Sequence, residues 1–403
     1  MDLRSEYPYW LLKDGIINSY PSLGKDIQIE VLIIGAGITG ALMAYHLGKA
    51  GFKIAIVDKR HAGMGSTAAS TGLLQYEIDT PLRKLISLVG EKNAIKSYAL
   101  CVEAITKLHT VAKDVAADFE FEFKPSFQYA SRQSHVNDLR KEFELRRAHH
   151  LSQIEWLDPK DIKAKFGFDA PGGLLSADGA QVNAYKLTHH LLKYCIDKFD
   201  LQVYDNTAIV KSKTSGTEAE LMTNEGRRIK AKHLIICAGY ESESYLPMKV
   251  EIRNTTYAII SEPFASNKFW FENALIWETA IPYLYMRTTR DNRILVGGRD
   301  DHFYNPAKRD RRLPDKAEKL VKDFNKRFPH LPFKIDFQWA GIFCATKDGL
   351  PFIGKVDKQS NTYFALGFGG NGITFSLMAA EITRDVLSGK KNENADLFSF
   401  SRD

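Results

Sequence analysis

Short apolar runs, each closed by small residues, recur at three widely separated places in the chain. They cover residues 31–34, 234–237 and 363–366, and each is followed directly by glycine or by alanine and glycine. Apolar runs of this length are typical of strands buried on both faces, as in a parallel sheet covered by helices. The pattern therefore predicts a buried sheet whose strands end in tight turns.

Between these runs, apolar residues recur every three or four positions, which predicts amphipathic helices. Helices are predicted at 41–50, 79–116, 134–149, 186–199, 315–327 and 374–388. Alternating and β-branched residues predict strands at 119–130, 201–212, 219–223 and 229–237, and a β-rich block over 250–300. Mixed helices and strands of this kind indicate the α/β class.

The first apolar run opens a unit of strand, glycine turn and helix. Gly35, Gly37 and Gly40 have the spacing GxGxxG. In a dinucleotide-binding unit the first glycine permits the tight turn, the second lets the backbone approach a phosphate, and the third lets the helix pack on the sheet. The N-terminus of that helix offers free N–H groups and a partial positive charge to a pyrophosphate.

A second strand ends at Asp58, close to the expected spacing of about 20 residues from the glycine turn. Its carboxylate would accept hydrogen bonds from ribose hydroxyls. An ordinary glycine-rich turn would leave Asp58 unexplained. A membrane span over 31–47 is opposed by three glycines and His46. We therefore predict a dinucleotide site and no transmembrane segment.

Another glycine-rich loop lies near the end of the chain, again between a strand and a helix. Residues 367–372 read Gly-Phe-Gly-Gly-Asn-Gly, and the predicted helix 374–388 follows. The N-terminus of that helix would stabilise negative charge on a bound group. A third loop, at 65–72, consists of small residues with several hydroxyls. Its position just after the ribose strand favours ligand contact over a flexible linker.

Composition is ordinary for a globular protein of two or three domains, with 403 residues, 44% of them hydrophobic and 26% charged. The net charge is +6, but the basic clusters at 146–147 and 308–312 lie among acidic residues. Such clusters are typical of a solvated surface, so we predict no nucleic-acid partner.

The cysteines and histidines predict neither a disulfide framework nor a metal site. The cysteines are Cys101, Cys195, Cys237 and Cys344. Wide spacing without a CxxC pair indicates a reducing compartment, and no apolar signal core opens the chain, so the cytoplasm is the expected location. Adjacent histidines at 149–150 and 189–190 would point in different directions from a helix.

Together these motifs resemble those of the D-amino-acid oxidase-like FAD-dependent oxidoreductases. The resemblance covers nearly the whole chain and rests on the order and spacing of motifs at 35–40, 66–73, 238–239, 339–341, 348–354 and 369–373. Tyr9-Trp10, Tyr20-Pro21 and the strand from Tyr285 to Arg287 look most like the γ-glutamylputrescine oxidase branch. Glycine oxidase and sarcosine oxidase look like more distant relatives.

The resemblance implies a Rossmann-like FAD-binding domain and an interleaved α+β substrate domain built on a mixed antiparallel sheet. The FAD-binding domain would be discontinuous, over 28–85, 150–247 and 338–403. The substrate domain would comprise 86–149 and 248–337, after an N-terminal leader over 1–27.

The resemblance also assigns motif residues to parts of FAD. Residues expected near the pyrophosphate and ribose are Gly35, Gly37, Ile38, Thr39, Gly40, Asp58, Lys59 and Arg60. Residues expected beside adenine and the rest of the ADP half are Ile209, Ala238 and Gly239. Residues expected beside the flavin ring are Ser66, Thr67, Ser70, Thr71, Gly72, Leu73, Gly341, Gly369, Gly370, Asn371, Gly372, Ile373 and Thr374.

Four positions depart from the patterns of this group. Asp58 stands where many members have Glu, and Phe343 stands where the amino-acid oxidases place an Arg for the substrate carboxylate. Gly341 stands where sarcosine oxidases attach FAD to a Cys, so noncovalent FAD is expected. Leu295 stands where those enzymes have an oxygen-activating Lys, so the electron acceptor stays open between dioxygen and another compound.

The substrate pocket is predicted to include Tyr285, Arg287 and Phe343. An α-amino-acid substrate would lack its usual anchor unless Arg287 or Arg253 replaces it. For Tyr285 and Arg287 the alternative is an exposed strand with a surface salt bridge.

The implied reaction is oxidation of a C–N bond of a small amine or amino acid by hydride transfer to flavin N5, giving an imine that hydrolyses. No catalytic acid or base is assigned, because the nitrogen lone pair drives hydride departure. Two alternatives stay open: an NAD-dependent dehydrogenase, which Asp58 also suits, and a noncatalytic flavoprotein subunit. The oligomeric state is not predicted.

Overall fold

The computed structural model describes residues 1–5, 7–215, 218–357 and 359–402, which form two large sheets with helices packed on them. The α-helices of these residues are α1 Tyr9–Asp14, α2 Ile38–Lys49, α3 Ser66–Ala69, α4 Leu82–Val89, α5 Glu91–Val115, α6 Val136–Ala148, α7 Pro159–Phe166, α8 Ala184–Phe199, α9 Pro306–Arg327 and α10 Gly372–Leu387. The strands are β1 Ile27–Ile34, β2 Ile54–Val57, β3 Leu73–Gln75, β4 Glu122–Tyr129, β5 Ile154–Leu157, β6 Gly173–Gln181, β7 Gln202–Tyr204, β8 Ile209–Ser215, β9 Glu218–Thr223, β10 Arg228–Ile236, β11 Ile252–Ser261, β12 Leu275–Glu278, β13 Tyr285–Thr288, β14 Ile294–Asp301, β15 Ile335–Ala345, β16 Phe352–Gly354 and β17 Thr362–Leu366.

The first sheet contains the three apolar runs and has the order β16-β17-β10-β1-β2-β7. The strands from β17 to β7 are parallel, and β16 is an antiparallel edge strand. A hairpin of β8 and β9 extends antiparallel from β10. Every residue of β2 and of β17 is buried. The predicted buried parallel sheet is therefore confirmed.

Four helices, α2, α5, α8 and α10, form the main core on one side of this sheet. Helix α2 contacts both α8 and α10, and α10 also contacts α5. The inward residues Leu42, Leu191 and Leu377 are fully buried. A buried hydrogen bond of 2.8 Å joins the hydroxyls of Thr39 and Ser376, near the N-terminal ends of α2 and α10. Both helix N-termini therefore lie close together at one edge of the sheet.

The second sheet has the order β15-β11-β14-β13-β12-β4-β6-β3, and β5 pairs with β6. Its neighbouring strands are antiparallel except β4 and β12, which are parallel. Helix α9 packs across β11, β14 and β15. The side chains of Leu313, Ala317, Leu320 and Phe324 lie in the core formed there. The predicted mixed, mainly antiparallel sheet is confirmed.

The chain crosses between the two sheets several times, but not only where the proposed domain boundaries fall. Strands β3, β5, β6 and β15 belong to the second sheet. The proposed FAD-binding domain nevertheless includes β3, β5, β6 and the part of β15 from residue 338 onwards. The boundaries themselves stay a prediction.

Helix α9 begins nine residues earlier than predicted. The predicted start at about 315 was wrong. In the structure Pro314 lies inside the helix, which begins at Pro306 with the side chain of Asn305 accepting a hydrogen bond from the backbone N–H of Lys308. The preceding leader also contains a helix, α1, whose Tyr9 and Trp10 are buried.

The four cysteines are unbonded and buried, each in a different element of the fold. Cys101 lies in α5, Cys195 in α8, Cys237 directly after β10 and Cys344 in β15. Burial raises the pKa of all four thiols, so each is held in its unreactive protonated form.

Candidate functional site

One large cavity, with a volume of about 600 Å³, lies where the two sheets meet. On one side it is lined by residues at the carboxyl ends of β1, β2 and β10, where ligands bind in open α/β sheets. On the other side it is lined by residues of β11, β12, β13, β14 and β15 from the second sheet. Its volume is in the range of small-molecule and cofactor sites.

The glycine turn after β1 forms one end of the cavity. Gly35 has a φ of +109°, and a Cβ added there would lie 2.3 Å from the carbonyl oxygen of Cys237. A Cβ on Gly37 would lie 2.9 Å from Oγ1 of Thr67. Gly35, Gly37, Ile38 and Thr39 line the cavity, so backbone groups of the first turn of α2 face it.

Gly40 does not line the cavity. A Cβ there would lie 1.9 Å from the carbonyl oxygen of Gly35, so this glycine lets α2 pack closely on the turn. The structural part of its predicted role is therefore observed, and its expected position beside a pyrophosphate stays a prediction.

Asp58 ends β2 and lines the same end of the cavity. Its carboxylate accepts hydrogen bonds of 2.8 Å from the backbone N–H groups of Ala36 and Arg60. Burial raises the pKa of Asp58, and these two hydrogen bonds oppose the rise. A carboxylate can accept about four hydrogen bonds, so it retains capacity for ribose hydroxyls.

Two basic side chains beside Asp58 are held by one acid. Lys59 Nζ lies 2.6 Å from Oε1 of Glu241, and Arg60 Nη1 lies 2.8 Å from its Oε2. Burial acts to raise the pKa of Glu241, but the hydrogen bonds from Arg60 and Lys59 outweigh it and lower the pKa to about 2. Ile209, Ala238 and Gly239 line this end of the cavity as well.

The hydroxyl-rich loop runs along the middle of the cavity and is fixed by two indoles. Trp10 Nε1 donates to the carbonyl oxygen of Ser70 at 2.7 Å, and Trp339 Nε1 donates to that of Ala69 at 3.0 Å. The cavity-lining residues of this loop are Ser66, Thr67, Ser70, Thr71, Gly72 and Leu73. A Cβ on Gly72 would lie 2.1 Å from the carbonyl oxygen of Val182, so only glycine fits.

The C-terminal glycine loop faces the same stretch of cavity, which is lined by Gly369, Gly370, Asn371, Gly372 and Ile373, and by Gly341 from β15. The amide of Asn371 donates to the carbonyl oxygens of Gln75 and Glu77 at 3.0 and 2.9 Å, which fixes the start of α10. Thr374 is not among the residues that line the cavity, and its position beside the flavin stays a prediction. Its buried hydroxyl instead donates to the carbonyl oxygen of Asn371.

Of the three predicted substrate-pocket residues, Tyr285 and Phe343 line the cavity and Arg287 does not. Arg287 is 1% exposed, and its Nη1 donates to the carbonyl oxygens of Gly72 and Val182 at 2.7 and 3.2 Å. Burial lowers its pKa to about 10. Its predicted pocket position was wrong because the loop that carries Gly72 covers it. The alternative of an exposed strand was also wrong.

Five residues that line the same chamber of the cavity were not predicted: Asp79, Tyr240, Trp277, Tyr283 and Asp300. We call this group the acidic aromatic chamber. Tyr283 was within reach of sequence reasoning, because it precedes the predicted pocket residue Tyr285 by two positions and strand side chains alternate. The two aspartates carried no sequence signal of their own.

Arg253, the other proposed anchor for a substrate carboxylate, is also outside the cavity lining. Its Nη2 lies 2.8 Å from Oε2 of Glu243. Within the described ranges, the only lysine or arginine side chains that line the cavity are Lys59 and Arg60. No group of three or more potential metal ligands occurs among the described residues.

The chain is similar to known oxidoreductases. A protein-family profile described as "FAD dependent oxidoreductase" (DAO) matches residues 30–386. Gamma-glutamylputrescine oxidoreductase of Escherichia coli (strain K12) is 26% identical over 401 residues, covering 94% of this chain and 88% of that protein. Glycine oxidase of Bacillus subtilis (strain 168) is 21% identical over 386 residues, covering 93% and 97%.

A solved structure shares the fold. Glycine oxidase from Geobacillus kaustophilus superimposes with a TM-score of 0.78 at 18% identity, covering 93% of this chain and 99% of that one. In the described part of the chain, no helix has the length and apolar character needed to cross a membrane.

Proposed function

The chain belongs to the DAO family of FAD-dependent oxidoreductases, and we propose that it oxidises the C–N bond of a small amine or amino acid. The observation that supports this most directly is the continuity of the cavity. It joins a dinucleotide cradle at Gly35 and Asp58 to a chamber lined by Tyr240, Tyr283 and Trp277. The alternative of an NAD-dependent dehydrogenase is wrong, because the family uses FAD.

The residues of the cavity fit FAD by their chemistry. Positions where a Cβ would collide, at Gly35, Gly37 and Gly72, leave backbone open to a flat or phosphate-bearing group. The N-terminal turns of α2 and α10 both face the cavity, and each stabilises negative charge. We therefore assign the ADP half to the end at Asp58 and the flavin to the stretch between Gly72 and Gly370.

Noncovalent attachment is part of the proposal. Gly341 occupies the position of the attaching Cys of sarcosine oxidases, and Cys344 lies outside the cavity lining. The Cys344 thiol is buried, and burial raises its pKa, so the attacking thiolate is disfavoured.

When bound, FAD supplies a two-electron acceptor that takes a hydride from the carbon next to an amine nitrogen. The chain supplies orientation and exclusion of water through the aromatic walls of the chamber. The reacting amine has to be neutral, because its lone pair forms the C=N bond of the imine product. Water then hydrolyses the imine to a carbonyl compound and an amine or ammonia.

The electron acceptor is proposed as dioxygen or another oxidant. Leu295, at the position of the oxygen-activating Lys of sarcosine oxidases, is fully buried beside Trp10 and Trp339. We also propose a reducing, cytoplasmic location, which the four unbonded cysteines support.

The test is anaerobic mixing of the purified yellow protein with a panel of diamines, polyamines, N-acylated diamines, secondary amines and amino acids. We expect at least one class to bleach the flavin absorbance. Dithionite serves as the positive control for a reducible flavin. If dithionite bleaches the protein and no amine or amino acid does, a noncatalytic flavoprotein replaces the proposed enzyme.

A further inference from the structure

The acidic aromatic chamber carries two carboxylates, and its Tyr283 contacts two other aromatic rings of the cavity lining. Tyr283 lies 6.1 Å from Trp277 and 5.9 Å from Tyr285 between ring centroids. Asp79 and Asp300 line the same space. Carboxylates and aromatic faces both attract cations, and they attract them more strongly where water is excluded.

The two carboxylates differ in how fully they are hydrogen-bonded. Asp79 accepts on both oxygens, from the Tyr283 hydroxyl at 3.0 Å and from the backbone N–H of Gly370 at 2.8 Å. Oδ1 of Asp300 is buried and accepts no hydrogen bond from the described residues. Asp79 is therefore held in place by the protein, whereas Asp300 presents an unused acceptor.

A second group of the chamber also lacks a partner. The indole Nε1–H of Trp277 is buried and has no acceptor among the described residues. Buried polar groups are nearly always hydrogen-bonded in native proteins, so unused groups in a cavity point to a ligand that satisfies them. Asp300 therefore has a free acceptor that a ligand bearing N–H donors would satisfy.

Among the described residues that line the cavity, none brings a lysine or arginine side chain into this chamber. Lys59 and Arg60, the basic side chains that line the cavity, are both paired with Glu241 at the dinucleotide end. Arg287 is covered by the Gly72 loop, and Arg253 is paired with Glu243. Burial and the nearby charge of Asp79 raise the pKa of Asp300 to about 7, although a hydrogen bond from Thr256 and the charge of Lys316 oppose the rise.

We propose that Asp300 binds a second, non-reacting ammonium group of the substrate, so that the enzyme acts on diamines or polyamines. This inference rests on the proposed C–N oxidation. A carboxylate stabilises the charged form of an amine in contact with it, whereas the amine that loses hydride has to be neutral. The two requirements are met together when one nitrogen is charged at Asp300 and another is neutral at the flavin.

The same arrangement disfavours amino acids with a free carboxylate in the chamber. Such a group would meet Asp79 and Asp300, and no described arginine or lysine lines the chamber to neutralise it. Phe343, at the position of the usual anchoring Arg, contributes no charge.

The test compares matched ligands on the purified holoenzyme. The ligands are linear diamines of three to six carbons, the monoamine of each length, the mono-N-acetyl diamine and the ω-amino acid. Dissociation constants come from perturbation of the oxidised flavin spectrum, and reduction rates come from anaerobic bleaching. For the best length, we expect the diamine to bind at least about tenfold more tightly than the monoamine, as for a charged hydrogen bond.

Asp300→Asn is the diagnostic variant, because it keeps the shape and removes the charge. It should abolish the preference for the diamine over the monoamine. Asp301→Asn is the matched control. Asp301 is the next residue of β14, and it interacts outside the chamber with Lys316 and Tyr257. This control should retain the preference.

The possible results separate the inference from the proposed function. Bleaching by amines without preference for the diamine overturns the inference alone, as does equal loss of monoamine and diamine activity in Asp300→Asn. Tight, Asp300-dependent binding of a diamine, with bleaching by none of the ligands, supports the cation site and overturns the proposed oxidation.

Discussion

At the scale of single residues, the shape of the cavity depends on glycines, which have no side chain, as much as on the side chains that line it. Gly35 combines a φ of +109° with backbone atoms of Cys237 and Ala238 against the place of its missing Cβ. Gly72 and Gly40 are enclosed by backbone in the same way. These positions were recognisable from the sequence, because the spacing of a glycine motif reflects a local backbone requirement.

Replacing Gly35 by Ala should strain the turn and push β1 away from β10. We expect a loss of at least about 2 kcal/mol in the free energy of unfolding, together with loss of bound FAD. Urea denaturation and the ratio of flavin to protein absorbance measure the two effects. Gly24→Ala is the control, because Gly24 has no heavy atom within 4 Å of the added Cβ. Equal stability of the two variants would contradict this account of the turn.

When no amine is bound, the charge of Asp300 should destabilise the FAD-containing enzyme at high pH. Burial raises its pKa to about 7, a hydrogen bond from Thr256 opposes the rise, and Asp79 and Asp301 add to it while Lys316 reduces it. Since the folded-state pKa is above the usual value near 3.9, stability falls as pH rises from that value towards 7. Asp300→Asn has no carboxylate to ionise, so its stability does not fall in this way. The difference in free energy of unfolding between this variant and wild type should therefore shift in favour of the variant by about 2 kcal/mol between pH 5 and pH 8.

Asp301→Asn should behave in the opposite way. Burial acts to raise the pKa of Asp301, but hydrogen bonds from Lys316 and Tyr257 outweigh it and lower the pKa. The stabilisation is therefore present above the usual pKa and is lost on acidification, so this variant should be less stable than wild type at pH 8. Urea unfolding across this pH range, without added amine, compares the two variants. The same pH trend in both would refute the assignment of opposite shifts.

At the scale of elements, α9 shows how a local signal can mislead. Proline lacks the N–H that a helix interior needs, so Pro314 is a local signal against a continuous helix. The apolar face of Leu313, Ala317, Leu320 and Phe324 packs on the second sheet, and this burial keeps the helix continuous across the proline. Tertiary packing, which the sequence pattern does not show, therefore sets the length of α9.

Pro314→Ala should stabilise the protein by about 1–3 kcal/mol, because it restores a helical hydrogen bond at an exposed position. Pro306→Ala is the comparison, since Pro306 occupies the first turn of α9, where proline is well tolerated. That change should alter the free energy of unfolding by no more than about 0.5 kcal/mol. Thermal and urea unfolding measure both, and destabilisation by Pro314→Ala would contradict the account.

At the scale of the whole molecule, the cavity forms between the two sheets, and each sheet contributes one of its walls. Local motifs predicted the wall formed by Gly35, Asp58 and the Gly369 loop. Asp79, Tyr240 and Asp300 could not be predicted, because they come from three distant segments that meet only in the folded chain. Arg287 was assigned wrongly for the same reason: its strand was recognised, but the loop that covers it comes from another part of the chain.

Removal of FAD should lower the melting temperature of the protein. A ligand bound only by the folded state adds about 2.7 kcal/mol at a hundredfold excess over its Kd, and here it would join the two sheets. We expect a shift of several degrees that added FAD reverses and added NAD does not. Yellow colour in the supernatant after acid precipitation would accord with noncovalent attachment. Colour retained in the pellet would refute it.

The burial of the four cysteines gives the molecule a set of natural kinetic probes. Each thiol becomes reactive towards an alkylating reagent only when its own surroundings open, and the four report from α5, α8, the end of β10 and β15. Pulsed alkylation followed by peptide mass spectrometry can therefore resolve which sheet opens first, without any engineered label. The backbone of Cys237 lies against Gly35, so the labelling rate of Cys237 measures how often the glycine turn at the dinucleotide end of the cavity opens locally.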